Sequence, residues 1–169
     1  MTRRALNLTG FAGSSALMAY ALYAQYGLDL TPCPLCVFQR VGVIALGLGF
    51  LLAAVQNPSG WGRHIYTLFI GLAAGGTAAV AARHLWLQNL PPDRVPACGP
   101  DLGYLLETLP LGDVLRQVFT GSGECATIDW SFLGLSMPAW VLIAVTVIGL
   151  AGLAANLLAK TAPATDKRA

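Results

Sequence analysis

Four stretches of this chain are apolar and free of charge over lengths that suit a lipid bilayer, and nothing else limits the fold as much. Leu6 to Tyr26 carries no charged side chain in 21 residues, Val41 to Val55 none in 15, Ile65 to Ala82 none in 18 and Ala139 to Ala159 none in 21. A helix needs about 20 mostly apolar residues to cross the hydrocarbon core. In lipid every backbone N–H and C=O must be bonded within the segment, so each run is expected as α-helix. Composition agrees, with 56% of the 169 residues hydrophobic and 11% charged, against about 25% charged in an average soluble domain. The expected fold class is all-α integral membrane: a four-helix transmembrane bundle in a single domain, residues 1–169. Its spans are expected at about 6–26, 36–55, 65–87 and 138–159, with outer loops at about 27–35 and 88–137. The first run follows Arg3 and Arg4 as a signal peptide would. It is longer than the usual 7–15-residue core of such a leader, and no small-residue cleavage site precedes the polar turn at Gly27 and Asp29, so it is expected to remain as a span.

Four spans put both termini on one side. That side holds Arg3, Arg4, Arg63, Lys160, Lys167 and Arg168, six cations against Arg40, Arg83, Arg94 and Arg116 on the other. Short-loop cations favour the cytoplasm, so the termini are expected there and the loops at 27–35 and 88–137 outside. The net charge of +2 is small and no Lys/Arg run is present, which argues against a nucleic-acid partner.

All four cysteines, Cys33, Cys36, Cys98 and Cys125, fall on the outer side, where an oxidising compartment permits disulfides. Zinc sites in sequence usually show two close pairs, whereas here only Cys33 and Cys36 are close, so no metal is expected. A structural Cys33–Cys36 bridge would close almost no loop and stabilise little. Reactivity explains the pair better. Pro34 suits the first turn of a helix, Cys36 then faces the positive end of the helix dipole, and Arg40 lies one turn on along the same face. That arrangement stabilises a thiolate at the membrane boundary. Cys98 in "VPACGPD" and Cys125 in "GSGECAT" are flanked by turn formers. Taken alone, this second pair fits an inert loop staple as well as a redox role. The two pairs together favour a relay by thiol–disulfide exchange, ending on a lipid-soluble acceptor. Spacing alone does not identify that acceptor as a quinone.

Three motifs in order, "CPLCVFQR", "RHLWLQNLPPDRVPACG" and "GSGECATIDWSFLGLSMPAW", resemble the disulfide bond formation protein B (DsbB) family over all four runs and both cysteine pairs. The resemblance implies a bacterial inner-membrane thiol:quinone oxidoreductase. Such a protein reoxidises a periplasmic DsbA-like thiol oxidase and passes two electrons to ubiquinone or menaquinone. By motif, Cys33 and Cys36 are the quinone-proximal pair, with Arg40 as the cation beside Cys36. Cys98 is the attachment point for the partner's cysteine, and Cys125 attacks Cys33 to give a transient Cys33–Cys125 bridge. His84 and Met137 match positions lining the family's quinone pocket. Gln39 stands where some members carry an acid, so no carboxylate role transfers to it. Arg83 lies roughly 100° around the helix from His84, so the two cannot both face one pocket squarely.

Other readings remain. A vitamin K epoxide reductase-like enzyme uses similar cysteine logic, though usually with a fifth span. A non-catalytic scaffold with two structural disulfides also fits the spacing. A bis-histidine haem does not, because His64 and His84 sit about 30 Å apart along one helix. The glycines of the second and third runs, Gly42, Gly47, Gly49, Gly71, Gly75 and Gly76, read as close-packing positions. Trp61, Trp86, Trp130 and Trp140 read as interfacial anchors. In the long loop, Leu111, Val114, Leu115, Val118 and Phe119 form one helical stripe, expected as a short helix on the membrane surface or against a partner.

Overall fold

The apolar runs become long helices in the computed structural model, which describes residues 2–97, 99 and 102–158. The assignments made above to Cys98, Ala159, Lys160, Lys167 and Arg168 lie outside those residues. The long helices are α1 (Arg3–Gly27), α2 (Pro34–Gln56), α3 (Trp61–Gln88) and α6 (Met137–Leu158). Two shorter helices, α4 (Leu102–Thr108) and α5 (Leu111–Thr120), lie between α3 and α6. Helices α2, α3 and α6 are long and apolar enough to cross a membrane. Helix α1 has the length, at 25 residues, but Asn7, Thr9, Ser14, Ser15 and Gln25 interrupt its apolar character.

Local chemistry sets the ends. Cys33 caps α2, its sulfur accepting from the Cys36 N–H at 3.4 Å, and Pro34 takes the first helical position. Asn57 closes α2 in the left-handed region (φ 40°), donating its N–H to the Ala53 carbonyl. Between α5 and α6 the chain forms a hairpin, β1 (Ser131–Phe132) antiparallel to β2 (Leu135–Ser136). Leu133 and Gly134 make its turn, both with positive φ (52° and 77°), as a two-residue hairpin turn needs.

Helix α1 packs on α2 and α6, α2 on α3, and α3 on α6. Phe50 is fully buried at the centre of the apolar core with Leu46, Ile70 and Val145. Gly10 and Gly152 approach its ring from α1 and α6, and a Cβ on Gly10 would lie 2.7 Å from Phe50 Cε1. The outward residues are apolar too, among them Val41, Leu48, Leu68, Leu72, Val147 and Leu150. A helix that is apolar on every side belongs in lipid or a large core.

At one end of the helices Arg3 is buried and donates to the Asn57 carbonyl and side-chain oxygens, at 3.2 Å each, and to the Pro58 carbonyl. Near it Asn7 and Asn156 exchange amide hydrogen bonds at 3.1 and 2.9 Å, fastening α1 to α6. Gly10→Val is expected to destabilise the chain by about 1–3 kcal/mol through overpacking. A lowered Tm in detergent, partly restored by adding Phe50→Leu, checks this. An unchanged Tm would mean that the ring is free to move aside.

Candidate functional site

The other end of the helices gathers the predicted site residues. Cys33 ends the approach to α2, His84 lies in the last turns of α3, and Met137 opens α6. A second apolar cluster closes this end, built from Leu35, Leu87, Leu105, Val114 and Val118 with Cys33 and Cys125. Val114 and Val118 bring α5 into this cluster, while Leu111 and Phe119 of the same helix stay exposed. Arg83 fastens the end of α5 by donating to the Phe119 and Thr120 carbonyls at 3.2 and 3.1 Å, and it stacks 4.0 Å from the Trp86 ring centre. It therefore faces away from His84, as the helix period requires. Gly121 (φ 89°) then turns the chain back, in close contact with Leu87, toward the turn that carries Cys125.

The cysteines converge. Cys33, Cys36 and Cys125 are free thiols, with Cys33 and Cys36 sulfurs 2.9 Å apart. Cys33 Sγ, Cys125 Sγ and a ring nitrogen of His84 lie within 4.8 Å of one another, and His84 Nε2 is 3.8 Å from Cys33 Sγ. Cys125 is 1% exposed, His84 3% and Cys33 8%, so the junction is dry. A hydrogen bond from Cys33 holds the Cys125 thiol down at about 5 against the opposing effect of burial, helped by the Leu35 N–H and by Ser122. The same contact pushes the Cys33 thiol up, with Cys36 and burial acting in the same direction. Ala97 and Gly99 both lie against this turn: the Ala97 carbonyl accepts from the Gly123 N–H at 3.3 Å, and a Cβ on Gly99 would touch Ser122.

A cleft with a cavity volume of about 110 Å³ opens beside the cysteines. Leu17, Met18, Val43, Trp130 and Val141 form its apolar wall, and Cys33, Cys36, Gln39, Arg40, His84, Gln88 and Met137 also line it. A neighbouring apolar groove shares Leu17, Ala21, Trp130, Met137 and Val141 and adds Tyr20, Phe132 and Trp140. Tyr20 meets Trp130 edge to face, Trp130 stacks on Phe132, and Phe132 lies tilted against Trp140 along it. Trp130 and Trp140, expected as membrane anchors, thus line the groove.

Arg40 differs from expectation in its partners. It lines the cleft, but its guanidinium donates to the Gln25 side chain and, at 3.0 Å, to the Ala21 carbonyl of α1. The basic group found against the cysteines is His84. Gln39, buried at 4%, bonds its Nδ1 at 3.1 Å and leaves Nε2 toward the sulfurs. The sequence reading gave Gln39 no site role and did not single out Gln25 or Gln88. The signal for Gln39 was its position three residues after Cys36, on the same helix face. Gln88 accepts from Ser136 at 2.7 Å and donates to the Thr127 carbonyl at 3.4 Å, tying the hairpin and the Cys125 segment to α3.

This arrangement juxtaposes two thiol-bearing segments and an apolar cleft with a few convergent polar groups, as small-molecule sites have. Residues 3–155 match the family model described as disulfide bond formation protein DsbB. The chain is 49% identical over 142 residues to a disulfide bond formation protein B of Methylococcus capsulatus, covering 84% of this chain and 87% of the relative. It is 48% identical over 144 residues to one of Hahella chejuensis, covering 85% and 87%, and 51% identical over 134 residues to one of Saccharophagus degradans, covering 79% and 81%.

Proposed function

Since the chain belongs to the DsbB family of disulfide bond formation proteins, we propose that it is a membrane thiol:quinone oxidoreductase. It reoxidises a periplasmic DsbA-like dithiol oxidase and delivers two electrons to ubiquinone or menaquinone. In this reading α1 crosses the bacterial inner membrane with α2, α3 and α6, both termini are cytoplasmic, and the four cysteines face the periplasm. The observation that carries it is the approach of Cys125 to Cys33 beside a cleft that Cys36 lines.

The residues fit a quinone. The cleft offers apolar walls for a flat ring, polar groups on Gln39, Arg40, His84 and Gln88 for its two carbonyl oxygens, and an adjoining aromatic groove for an apolar tail. A bound quinone supplies the two-electron acceptor and takes up two protons.

The chain's own steps begin at the loop pair. A partner thiolate attacks the Cys98–Cys125 disulfide at Cys98 and releases Cys125 as thiolate. The second partner thiol resolves the mixed disulfide, leaving Cys98 reduced and the partner oxidised. Cys125 attacks Cys33 of the Cys33–Cys36 disulfide, forming the Cys33–Cys125 bond and releasing Cys36 as thiolate into the cleft. Cys98 then attacks Cys125, restoring the loop disulfide and freeing Cys33. Two electrons and two protons now rest on Cys33 and Cys36. The Cys33 and Cys125 sulfurs lie within 4.8 Å and have to close to about 2.05 Å to bond. His84, oriented by Gln39, carries protons at Nε2 beside Cys33. Purified protein in nanodiscs, given reduced DsbA-like partner and either quinone, is expected to form one quinol per partner disulfide. No quinol with either quinone would overturn the reading.

A further inference from the structure

The close-pair spacing argument against zinc weighs only neighbours in sequence, and the fold supplies donors from elsewhere. Cys33 Sγ, Cys125 Sγ and a His84 ring nitrogen lie within 4.8 Å of one another, and Cys36 Sγ is 2.9 Å from Cys33. We propose that the fully reduced chain binds one soft divalent cation of the zinc class through Cys33, Cys36, Cys125 and His84, and that this holds the relay inactive.

The donor set is three thiols and one imidazole, a combination that structural zinc sites use. Bond lengths of about 2.3 Å to sulfur and 2.0–2.1 Å to nitrogen, at tetrahedral angles, put donors roughly 3.6–3.8 Å apart. The Cys33–His84 separation of 3.8 Å already matches, and the Cys33–Cys36 pair has to open by about 1 Å. The Gln39 amide nitrogen lies 3.1 Å from Nδ1; a half-turn of that amide presents its oxygen to an Nδ1–H, the outer support that metal-bound histidines usually have, and frees Nε2 for the ion. Burial keeps water from competing as a ligand at Cys33, His84 and Cys125.

The site is gated by redox state. Binding displaces the thiol protons to solvent and changes no oxidation state. A Cys33–Cys36 or Cys33–Cys125 disulfide removes two of the donors, so an oxidised chain has no site. The bound ion in turn occupies the sulfurs that must be oxidised. None of this depends on which acceptor empties the dithiol.

Full-length protein in detergent, reduced and kept anaerobic, is titrated with Co²⁺ and then Zn²⁺. The expected spectrum has the intense visible bands of tetrahedral cobalt and a sulfur-to-cobalt charge-transfer band. Both saturate at one ion per chain, are bleached by Zn²⁺, and are missing from the oxidised chain. Cys125→Ser and His84→Gln, tested separately, are each expected to weaken binding at least tenfold. A weak octahedral spectrum from the wild-type chain would overturn the proposal. So would binding unchanged in both variants, because the ion would then sit on other thiols. Quinol formation by chelator-treated protein is measured in parallel and tests the oxidoreductase reading on its own.

Discussion

Cys36→Ser is expected to lower quinol formation by at least about 10³-fold, whether the electrons come from the reduced partner or from a small dithiol. The hydroxyl is close to isosteric, and Cys36 is only half-buried at the start of α2, so the fold should persist. What is lost is the sulfur itself. A serine oxygen cannot form a disulfide with Cys33, and electrons that reach Cys33 then have no route onward as a pair. In the variant Cys33 is a lone thiol, which can attack the Cys98–Cys125 disulfide at Cys125 and release Cys98, so the chain should stop with Cys125 bonded to Cys33 and Cys98 reduced, a state that non-reducing peptide mapping would detect. A scaffold with two structural disulfides makes the opposite forecast: unchanged behaviour, because a bridge closing so short a loop stabilises little. Residual turnover near the wild-type rate would therefore sink the relay, however well the fold survives.

The helices were legible because backbone in lipid has few options, and the apolar runs mark where it must be helical. Their ends were less so. Helix α2 starts at Pro34, before the charge-free core of its run, because the Cys33 cap and not hydropathy sets that terminus. The stripe of α5 was visible as a period, but only packing decided that Val114 and Val118 turn inward while Leu111 and Phe119 do not. The hairpin from Ser131 to Ser136 was missed because its two-residue strands are too short for an alternation to register. At the site, the face shared by Cys36 and Arg40 was readable at one-turn spacing. Whether a guanidinium on that face turns to a sulfur or to polar groups of a neighbouring helix is a tertiary question, and here Ala21 and Gln25 hold it. The same limit hid Gln39, which gains meaning only once α3 brings His84 against it. It also hid the meeting of Cys33 with Cys125, 92 positions later in the chain.

Cys125→Ser is expected to separate the two halves of the relay. Partner-driven quinol formation should fall by on the order of 10²-fold or more, since the attacking sulfur between the pairs is gone. Reduction driven by a small dithiol that reaches Cys33 and Cys36 directly should survive within a few-fold. Equal loss from both donors would mean that Cys125 supports the fold of the cleft instead of carrying electrons. Its acidity gives an independent check. Cys125 is held at about 5, chiefly by the Cys33 hydrogen bond, well below an ordinary thiol near 8.5. The depressed value means that the thiolate form persists as pH falls from 8 to 6 and is lost only through about pH 5. An unperturbed thiol would lose reactivity tenfold per unit over the same range, because only the thiolate attacks. Carboxamidomethylation of Cys125 in the reduced chain, followed residue by residue by mass spectrometry, should give a profile flat from pH 8 to 6 with a midpoint near 5. Burial slows the absolute rate without moving that midpoint. A tenfold fall per unit beginning at pH 8 would show that Cys33 does not hold this thiolate in the reduced chain.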